Sequence, residues 1–159
     1  MAILHGINPT ETVTDLTMGR GYNPGDRGEL QGKEYVYVKA SANIAQYDVV
    51  TFDETYITTV APVSTSNDAR GDKLGVAAVA ITSGDYGWLQ IYGPATFNVA
   101  SACAANVELT TTATGGALDD ATTGSLIVAD GIFVTTANAA STVASAAGIL
   151  NYPQIGRTL

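Results

Sequence analysis

Residues 73–100 show the clearest alternation of hydrophobic runs and turn-forming residues in the chain. Residues 74–81 are apolar and rich in β-branched side chains, and the turn-forming residues 83–87 interrupt them. A second hydrophobic run covers 88–92, and Gly93-Pro94 separates it from a third. Short runs bounded by Gly, Pro, Asp and Ser are typical of strands, and a helix through these glycines and the proline would be costly. The pattern predicts a buried strand, a hairpin-like turn, a second strand and a corner.

Further short strands are predicted on both sides of this segment. Residues 34–40 alternate between two faces, with Tyr35 and Tyr37 on one face and Val36 and Val38 on the other. Asp130-Gly131 is a strong hairpin dipeptide and predicts a turn between two strands. Many short strands separated by turns predict an all-β fold, a compact sandwich or barrel of short antiparallel strands with helix only in short pieces. The other predicted strands are residues 47–53, 56–61, 107–111, 126–129, 132–136 and 148–152.

The intervening segments are predicted as loops. Residues 112–124 have low sequence complexity and predict a mobile surface loop. Residues 137–147 are compatible with one helical turn or with a polar loop. Residues 153–159 predict a tail.

The first 32 residues show little periodicity and are punctuated by Gly and Pro. We predict an extended N-terminal arm over residues 1–32, without a core of its own, and a single β domain over residues 33–159. Residues 10–14 could add as an edge strand to a neighbour. Ordering a residue costs about 1–2 kcal/mol of backbone entropy. We therefore expect the arm to be mobile in the free protein and ordered on a partner.

Composition and charge narrow the possible partners. Charged residues make up 14% of the chain, against about a quarter in typical domains, which suits a protein that buries much of its surface against other chains. The net charge of -8 argues against binding to nucleic acid. No apolar run approaches the roughly 20 residues that cross a bilayer, so no membrane partner is expected. Exposed strand edges need to be covered, and we expect a closed homo-oligomer, a trimer.

The sequence offers little material for catalysis. Cys103 is the only cysteine, and either a buried small hydrophobe or a reactive thiol would fit it. His5 is the only histidine and lies near the N-terminus, so a Cys-His metal site or a Ser-His-Asp triad has little material. Adjacent carboxylates on an extended chain point to opposite sides, so Asp119 and Asp120 predict a solvated loop or a weak calcium site rather than an acid–base pair. We therefore predict no catalytic residue, no cofactor and no resident metal, and a protein that is not an enzyme.

A set of strand and turn motifs spans residues 34–159. These motifs are YVYV at 35–38, LGVA at 74–77, YGWLQI at 86–91, GPA at 93–95, NVELTT at 106–111, GALD at 116–119, LNYP at 150–153 and GR at 156–157. Together they resemble the capsid decoration, or cement, proteins of tailed bacteriophages. The arm before Gln31 is the part that matches least.

The resemblance implies a small β protein on the outer face of an icosahedral head. Such proteins often act as trimers that staple neighbouring coat subunits against the pressure of packed DNA. The implied partners are the major capsid protein and further copies of the chain, on the capsid surface of the virion. The candidate capsid or subunit interface residues are Leu16, Met18, Arg20, Tyr22, Arg27, Tyr152 and Arg157.

One other function fits the same pattern. A β-sandwich attachment module of a virion fibre or surface protein would bind host glycan, with exposed tyrosines and Trp88 as stacking platforms for sugar rings. In the opposite interpretation, Trp88 lies in the core. The solvent exposure of Trp88 therefore bears directly on the glycan hypothesis.

Overall fold

A computed structural model describes residues 3–17, 21–59, 71–112, 114–121 and 126–158 of the chain. These ranges contain no helix, and the predicted all-β class is confirmed. The strands are β1 (Ile3–His5), β2 (Arg27–Leu30), β3 (Lys33–Ala40), β4 (Val49–Phe52), β5 (Ile57–Thr59), β6 (Lys73–Ala77), β7 (Tyr86–Val99), β8 (Leu109–Thr111), β9 (Leu118–Asp119), β10 (Ile127–Val134) and β11 (Ala144–Thr158).

The strand pairings form two closed circuits that share β7. In the first circuit, each strand pairs with the next in the order β7, β3, β5, β4, β6 and again β7. In the second circuit, the order is β7, β11, β10, β8, β9 and again β7, where Val99 at the end of β7 pairs with Leu118 of β9. Closure of this kind is typical of barrels. All eleven strands form one mixed sheet, because β1–β2, β3–β5 and β7–β9 are parallel pairs. Most of the pairings are antiparallel as predicted, and the three parallel pairs make the sheet a mixed one.

Two hydrophobic cores fill these circuits, and β4 and β6 of the first circuit also supply Val49, Leu74 and Val76 to the second core. The first core includes Val38, Val50 and Leu89, and the second includes Phe97 and Leu150. β7 supplies residues to both, because its first half lies in one circuit and its second half in the other. From Tyr92 onward its residues alternate between exposed and buried, with Phe97 fully buried. This alternation is the pattern of a strand with one face against a core.

Strand β7 continues through the predicted corner at Gly93-Pro94. Gly93 adopts a φ of +91°, which glycine tolerates without steric cost. The amide of Gln90 donates to the Pro94 carbonyl at 2.9 Å. Proline has no N–H to donate, so it fits a strand only where the paired strand does not need that donor.

The predicted hairpin at Asp130-Gly131 is likewise a continuous strand, β10. The register with β11 shifts between Asp130 and Ile132, where Gly131 alone faces residues 151–153, so the bulge lies on β11 and Gly131, with a φ of +76°, lies opposite it. Its partner β11 extends over Ala144–Thr158, so it includes most of the predicted tail and part of the predicted 137–147 loop. The low complexity of residues 112–124 predicts one mobile surface loop, but Leu118 within this stretch is buried in β9.

The described part of the N-terminal 32 residues packs on the β domain. β1 pairs with β2, and β2 pairs with β3. Val13 exchanges two backbone hydrogen bonds with Tyr86 of its own chain, at 3.0 and 2.8 Å. Ile7 is buried in a third cluster with Tyr37 and Trp88. These residues thus complete a core that the β domain begins, and the domain boundary after residue 32 stays a prediction.

Candidate binding surface

Four strands bring charged and aromatic side chains to one surface. β2 supplies Arg27, β3 Glu34, β7 Tyr92 and β11 Tyr152. The register aligns Tyr92 with Glu34 on one side and with Asn151 on the other. Tyr152 has a φ of +49°, and this left-handed residue breaks the alternation so that two consecutive side chains of β11 face solvent. The strand pairing therefore places Tyr152 beside Tyr92.

The contacts among these four residues define the Arg27–Tyr152 surface. The rings of Tyr92 and Tyr152 stack with centroids 5.2 Å apart, and they are 39% and 42% exposed. The Arg27 guanidinium carbon lies 5.9 Å from the centre of the Tyr152 ring, within cation–π range. The Tyr152 hydroxyl donates to Glu34 Oε1 at 2.7 Å. This hydrogen bond raises the pKa of Tyr152, because the neutral phenol is the donor.

A pocket of about 510 Å³ begins at the same surface, because Arg27 and Tyr152 both line it. Its other polar lining includes Lys73, whose ammonium donates to Gln154 Oε1 at 2.8 Å. Asp53 accepts from the Thr55 backbone at 2.8 Å, and its hydrogen bonds with Thr55 lower the pKa of this exposed carboxyl. The apolar lining is Val36, Phe52, Tyr56, Leu74, Ile91 and Pro153, and the remaining acids are Glu54 and Asp72. The pocket thus combines apolar walls with charges of both signs.

The structure brings together only some of the predicted interface residues. Arg27 and Tyr152 meet as described. Leu16 and Tyr22 are half-buried in the third cluster, where the Tyr22 ring lies 4.9 Å from that of Trp88 in an edge-on arrangement. Arg157 forms an ion pair with Glu108 at 3.0 Å. Met18 and Arg20 lie outside the described residues.

Sequence reasoning missed Glu34, Tyr92 and the apolar pocket residues. Tyr92 and Tyr152 each directly precede a break in the hydrophobic pattern, Gly93-Pro94 and Pro153. That local signal marks two irregular strand positions, but it does not say that they are neighbours. Their contact follows from the β7–β11 pairing across about 60 residues of sequence, which periodicity alone does not reveal.

A separate acidic cluster lies at the end of β9. The carboxylates of Asp119 and Asp120 and the thiol of Cys103 each offer an atom within 4.8 Å of the others. The prediction that the two carboxylates point apart is therefore wrong. The cause is local: the Asp120 backbone N–H donates to Asp119 Oδ1 at 2.9 Å, and Asp120 Oδ2 accepts from Ala104 at 3.0 Å.

Burial and the two acids set the chemical state of Cys103. Burial, followed by the charges of Asp120 and Asp119, raises the pKa of the thiol to about 11. Burial likewise raises the pKa of Asp119. At neutral pH Cys103 is thus a neutral, buried thiol, and the thiolate is the reactive and metal-binding form. The interpretation of Cys103 as a small buried hydrophobe is confirmed.

Trp88 is also fully buried, so the interpretation as a core residue is confirmed. Its ring packs against Tyr37 and Tyr22, with centroids 4.9 Å apart in both pairs. Its indole N–H has no hydrogen-bond partner among the residues that the structure describes. A stacking platform for sugars at this position is therefore excluded. Within the described ranges, no helical segment has the length and hydropathy needed to cross a bilayer.

Comparison with known proteins gives only distant similarity. No protein-family model and no curated protein matches the chain. Among solved structures, the chain is similar to the one titled "The crystal structure of head fiber gp8.5 N base in bacteriophage phi29". The identity is 13%, the match covers 77% of this chain and 98% of that chain, and the TM-score is 0.44.

Proposed function

We propose that this protein is a structural protein of a tailed-phage virion that binds the outer surface of the icosahedral head. In this role it stabilises the shell by bridging coat subunits and performs no catalysis. Its partners are the major capsid protein and further copies of itself. The observation that carries the proposal is the Arg27–Tyr152 surface with its adjoining pocket, on a chain whose motifs resemble decoration proteins.

The residue types on this surface suit recognition of a protein. Tyrosine and arginine are enriched at protein interfaces and dominate their binding energy, often beside a pocket that receives an anchor side chain. Arg27 and Tyr152 lie at the edge of a pocket with apolar walls. A coat subunit would insert an apolar or aromatic side chain into the pocket. The exposed tyrosine rings would pack against the surrounding coat surface.

The charges around the pocket would orient the partner. Arg27 and Lys73 offer positive charge, while Asp53, Glu54 and Asp72 offer negative charge. Complementary charges steer association and fix the relative orientation of two proteins. The remaining predicted contacts, Leu16, Met18, Arg20, Tyr22 and Arg157, lie apart from this pocket or outside the described residues, and we assign them to flanking contacts with coat or sister subunits.

The phi29 neighbour is a phage head protein too, but a TM-score of 0.44 makes that likeness too distant to support the assignment. The assignment therefore depends on the motifs and on the surface. The assignment can be tested by measuring how the protein binds to capsids that lack it.

The test measures binding of the purified protein to such capsids. Arg27→Ala and Tyr152→Ala should each weaken binding by about 30-fold or more, because loss of an interface hot spot costs at least about 2 kcal/mol. Lys39→Ala is the matched control, because Lys39 lies over the Tyr86 ring at 5.5 Å and lines no part of the pocket. Unchanged affinity of both variants, with their thermal unfolding also unchanged, would contradict the assignment of this surface.

Glycan binding is a second candidate function, supported by the exposed Tyr92 and Tyr152 rings. Such rings can stack on sugars, although Tyr92 and Arg27 already contact the Tyr152 ring. A glycan array with the wild-type protein and with Tyr92→Ala separates the two functions. Glycan binding that the variant loses would favour an attachment module.

A further inference from the structure

Two long stretches of the chain contain no charged side chain. Residues 86–107 and 131–156 lack Asp, Glu, Lys and Arg entirely. All 7 basic and 15 acidic residues fall elsewhere. These stretches supply the whole of β7, most of β11 and the second half of β10. Uncharged strands from two separate parts of the sequence therefore pair with one another in the sheet.

The pairing of these strands creates an uncharged outer face. β11 lies between β10 and β7, and the register aligns Phe133 with Ile149 and Ile149 with Pro94. Directly opposed residues point to the same side of a sheet. All three are exposed, and Phe133 and Ile149 are 50% and 47% accessible. Exposed Ala147 and Thr96 form the adjacent pair of the same face.

This face differs from the solvent face of an ordinary sheet. A solvent-facing side of an antiparallel sheet normally carries polar residues, while the apolar ones point to the core. Here an apolar row crosses three strands. Val107, also exposed, lines a groove of about 470 Å³ together with Phe133 and Ile149, and the exposed acids Glu108 and Asp130 line the same groove beside the face. Contiguous exposed apolar surface of this kind marks interaction sites.

The backbone of the face is already paired. β11 has β7 on one side and β10 on the other over Gly148–Leu150. An additional strand therefore cannot add at this position, and a partner would dock on the side chains. The contact is a face-to-face packing, of the kind that joins two sheets.

We propose that this outer face, defined by Phe133, Ile149, Pro94, Ala147 and Thr96, binds a second copy of this chain. The charge distribution selects this occupant. With a net charge of -8, two copies repel each other, and contact costs least where neither presents a charge. A positively charged partner would be recognised through the acidic remainder of the surface, because charge complementarity sets specificity. This inference rests on the part of the proposed function that names further copies of the chain as partners, and it assigns that contact to a surface separate from the Arg27–Tyr152 surface.

The test is sedimentation velocity of the free full-length protein between about 1 and 100 µM, a range that resolves typical self-association constants. The wild type should associate, and Ile149→Arg should raise the dissociation constant by about 30-fold or more, because it buries an unpaired charge. Ile57→Arg is the matched control. Ile57 is 43% exposed and lies on β5, outside the face, so this variant should associate like the wild type.

A second variant keeps the test valid if Ile149→Arg unfolds. Thr96→Arg adds a charge to the same face at an exposed polar position and leaves Phe133, Ile149 and Pro94 in place. It should also weaken association with an unchanged melting temperature.

A wild type that stays monomeric at 100 µM would overturn the proposal. So would association of folded Ile149→Arg and Thr96→Arg at the wild-type constant. A monomeric wild type whose face variants lose capsid binding would instead assign the face to the coat protein. If Arg27→Ala and Tyr152→Ala do not weaken capsid binding, the sedimentation result for the outer face is unaffected.

Discussion

Gly131 on β10 faces Asn151 on β11 so closely that a β-carbon added to Gly131 would lie 2.6 Å from the Asn151 carbonyl oxygen. Gly131 also has a φ of +76°. It lies opposite the point where β11 carries the left-handed residue Tyr152. The bulge and the left-handed residue therefore occur together, and they expose Tyr152 at the candidate binding surface.

Gly131→Ala should destabilise the protein by roughly 2–4 kcal/mol. About 1–2 kcal/mol comes from the left-handed backbone of a residue with a β-carbon, and the close contact with Asn151 adds to it. Gly84→Ala separates these terms, because Gly84 has a φ of +89° but nothing within 4 Å of an added β-carbon. Gly84→Ala should therefore lose only the stability that the left-handed backbone costs, without the contribution of a close contact. Urea unfolding of both variants measures the difference, and equal losses would contradict the proposed contact.

Local sequence patterns predicted the strands better than their connections. Residues 34–40 were predicted as a strand with two faces, and β3 covers Lys33–Ala40. The predicted corner at Gly93-Pro94 and the hairpin at Asp130-Gly131 were wrong. A glycine with positive φ fits a tight turn and a bulge equally well, and long-range pairing decides between them.

The candidate binding surface was only partly predictable for the same reason. Arg27 and Tyr152 were among the predicted interface residues, yet nothing local to either residue indicated that they meet. Their contact requires β2 to pair with β3, β3 with β7 and β7 with β11. For Trp88 and Cys103 the sequence left burial and exposure both open, because their uncharged stretch also contains exposed residues such as Tyr92.

Tyr37 should titrate late and make stability fall at high pH. Burial, followed by Glu11, Tyr86 and Tyr22, raises the pKa of Tyr37 to about 12. An unfolded tyrosine titrates near pH 10. The folded state therefore keeps a proton that the unfolded state loses, and this contribution to stability is present below about pH 10 and disappears by about pH 12.

Tyrosine absorbance at 295 nm measures this titration. Tyr37→Phe should remove one late-titrating tyrosine and flatten the fall in stability between about pH 10 and 12. An absorbance curve above pH 11 that is identical in wild type and variant, with the fold intact, would show that Tyr37 is not the late group.

Cys103 should be inert in the native protein. Its thiol is buried and has a pKa of about 11, so both access and the thiolate fraction are low at pH 8. A thiol reagent such as Ellman's should react with it only after denaturation. Ile149→Cys is the positive control, because it places a thiol on the exposed outer face. Rapid stoichiometric reaction of the native wild type would contradict the buried position of Cys103.

The N-terminal segment supports the aromatic cluster and should therefore contribute to stability. Ile7 packs so closely on Gly28 that a β-carbon there would meet the Ile7 side chain at 2.5 Å. Ile7 belongs to the same cluster as Tyr35, Tyr37 and Trp88. Ile7→Ala should cost about 2–5 kcal/mol, as for other large-to-small changes in a core.

Deletion of residues 1–29 tests whether the β domain folds alone. The deletion removes Ile7 and most of β2, so it exposes Trp88, the only tryptophan. If the boundary after residue 32 is right, the remaining chain should still unfold cooperatively, at a lower melting temperature and with red-shifted Trp88 fluorescence. Capsid binding should weaken as well, because Arg27 is lost with the segment. An unchanged melting temperature and emission would instead mean that the arm is mobile in the free protein, and loss of cooperative unfolding would place the boundary of the domain before residue 30.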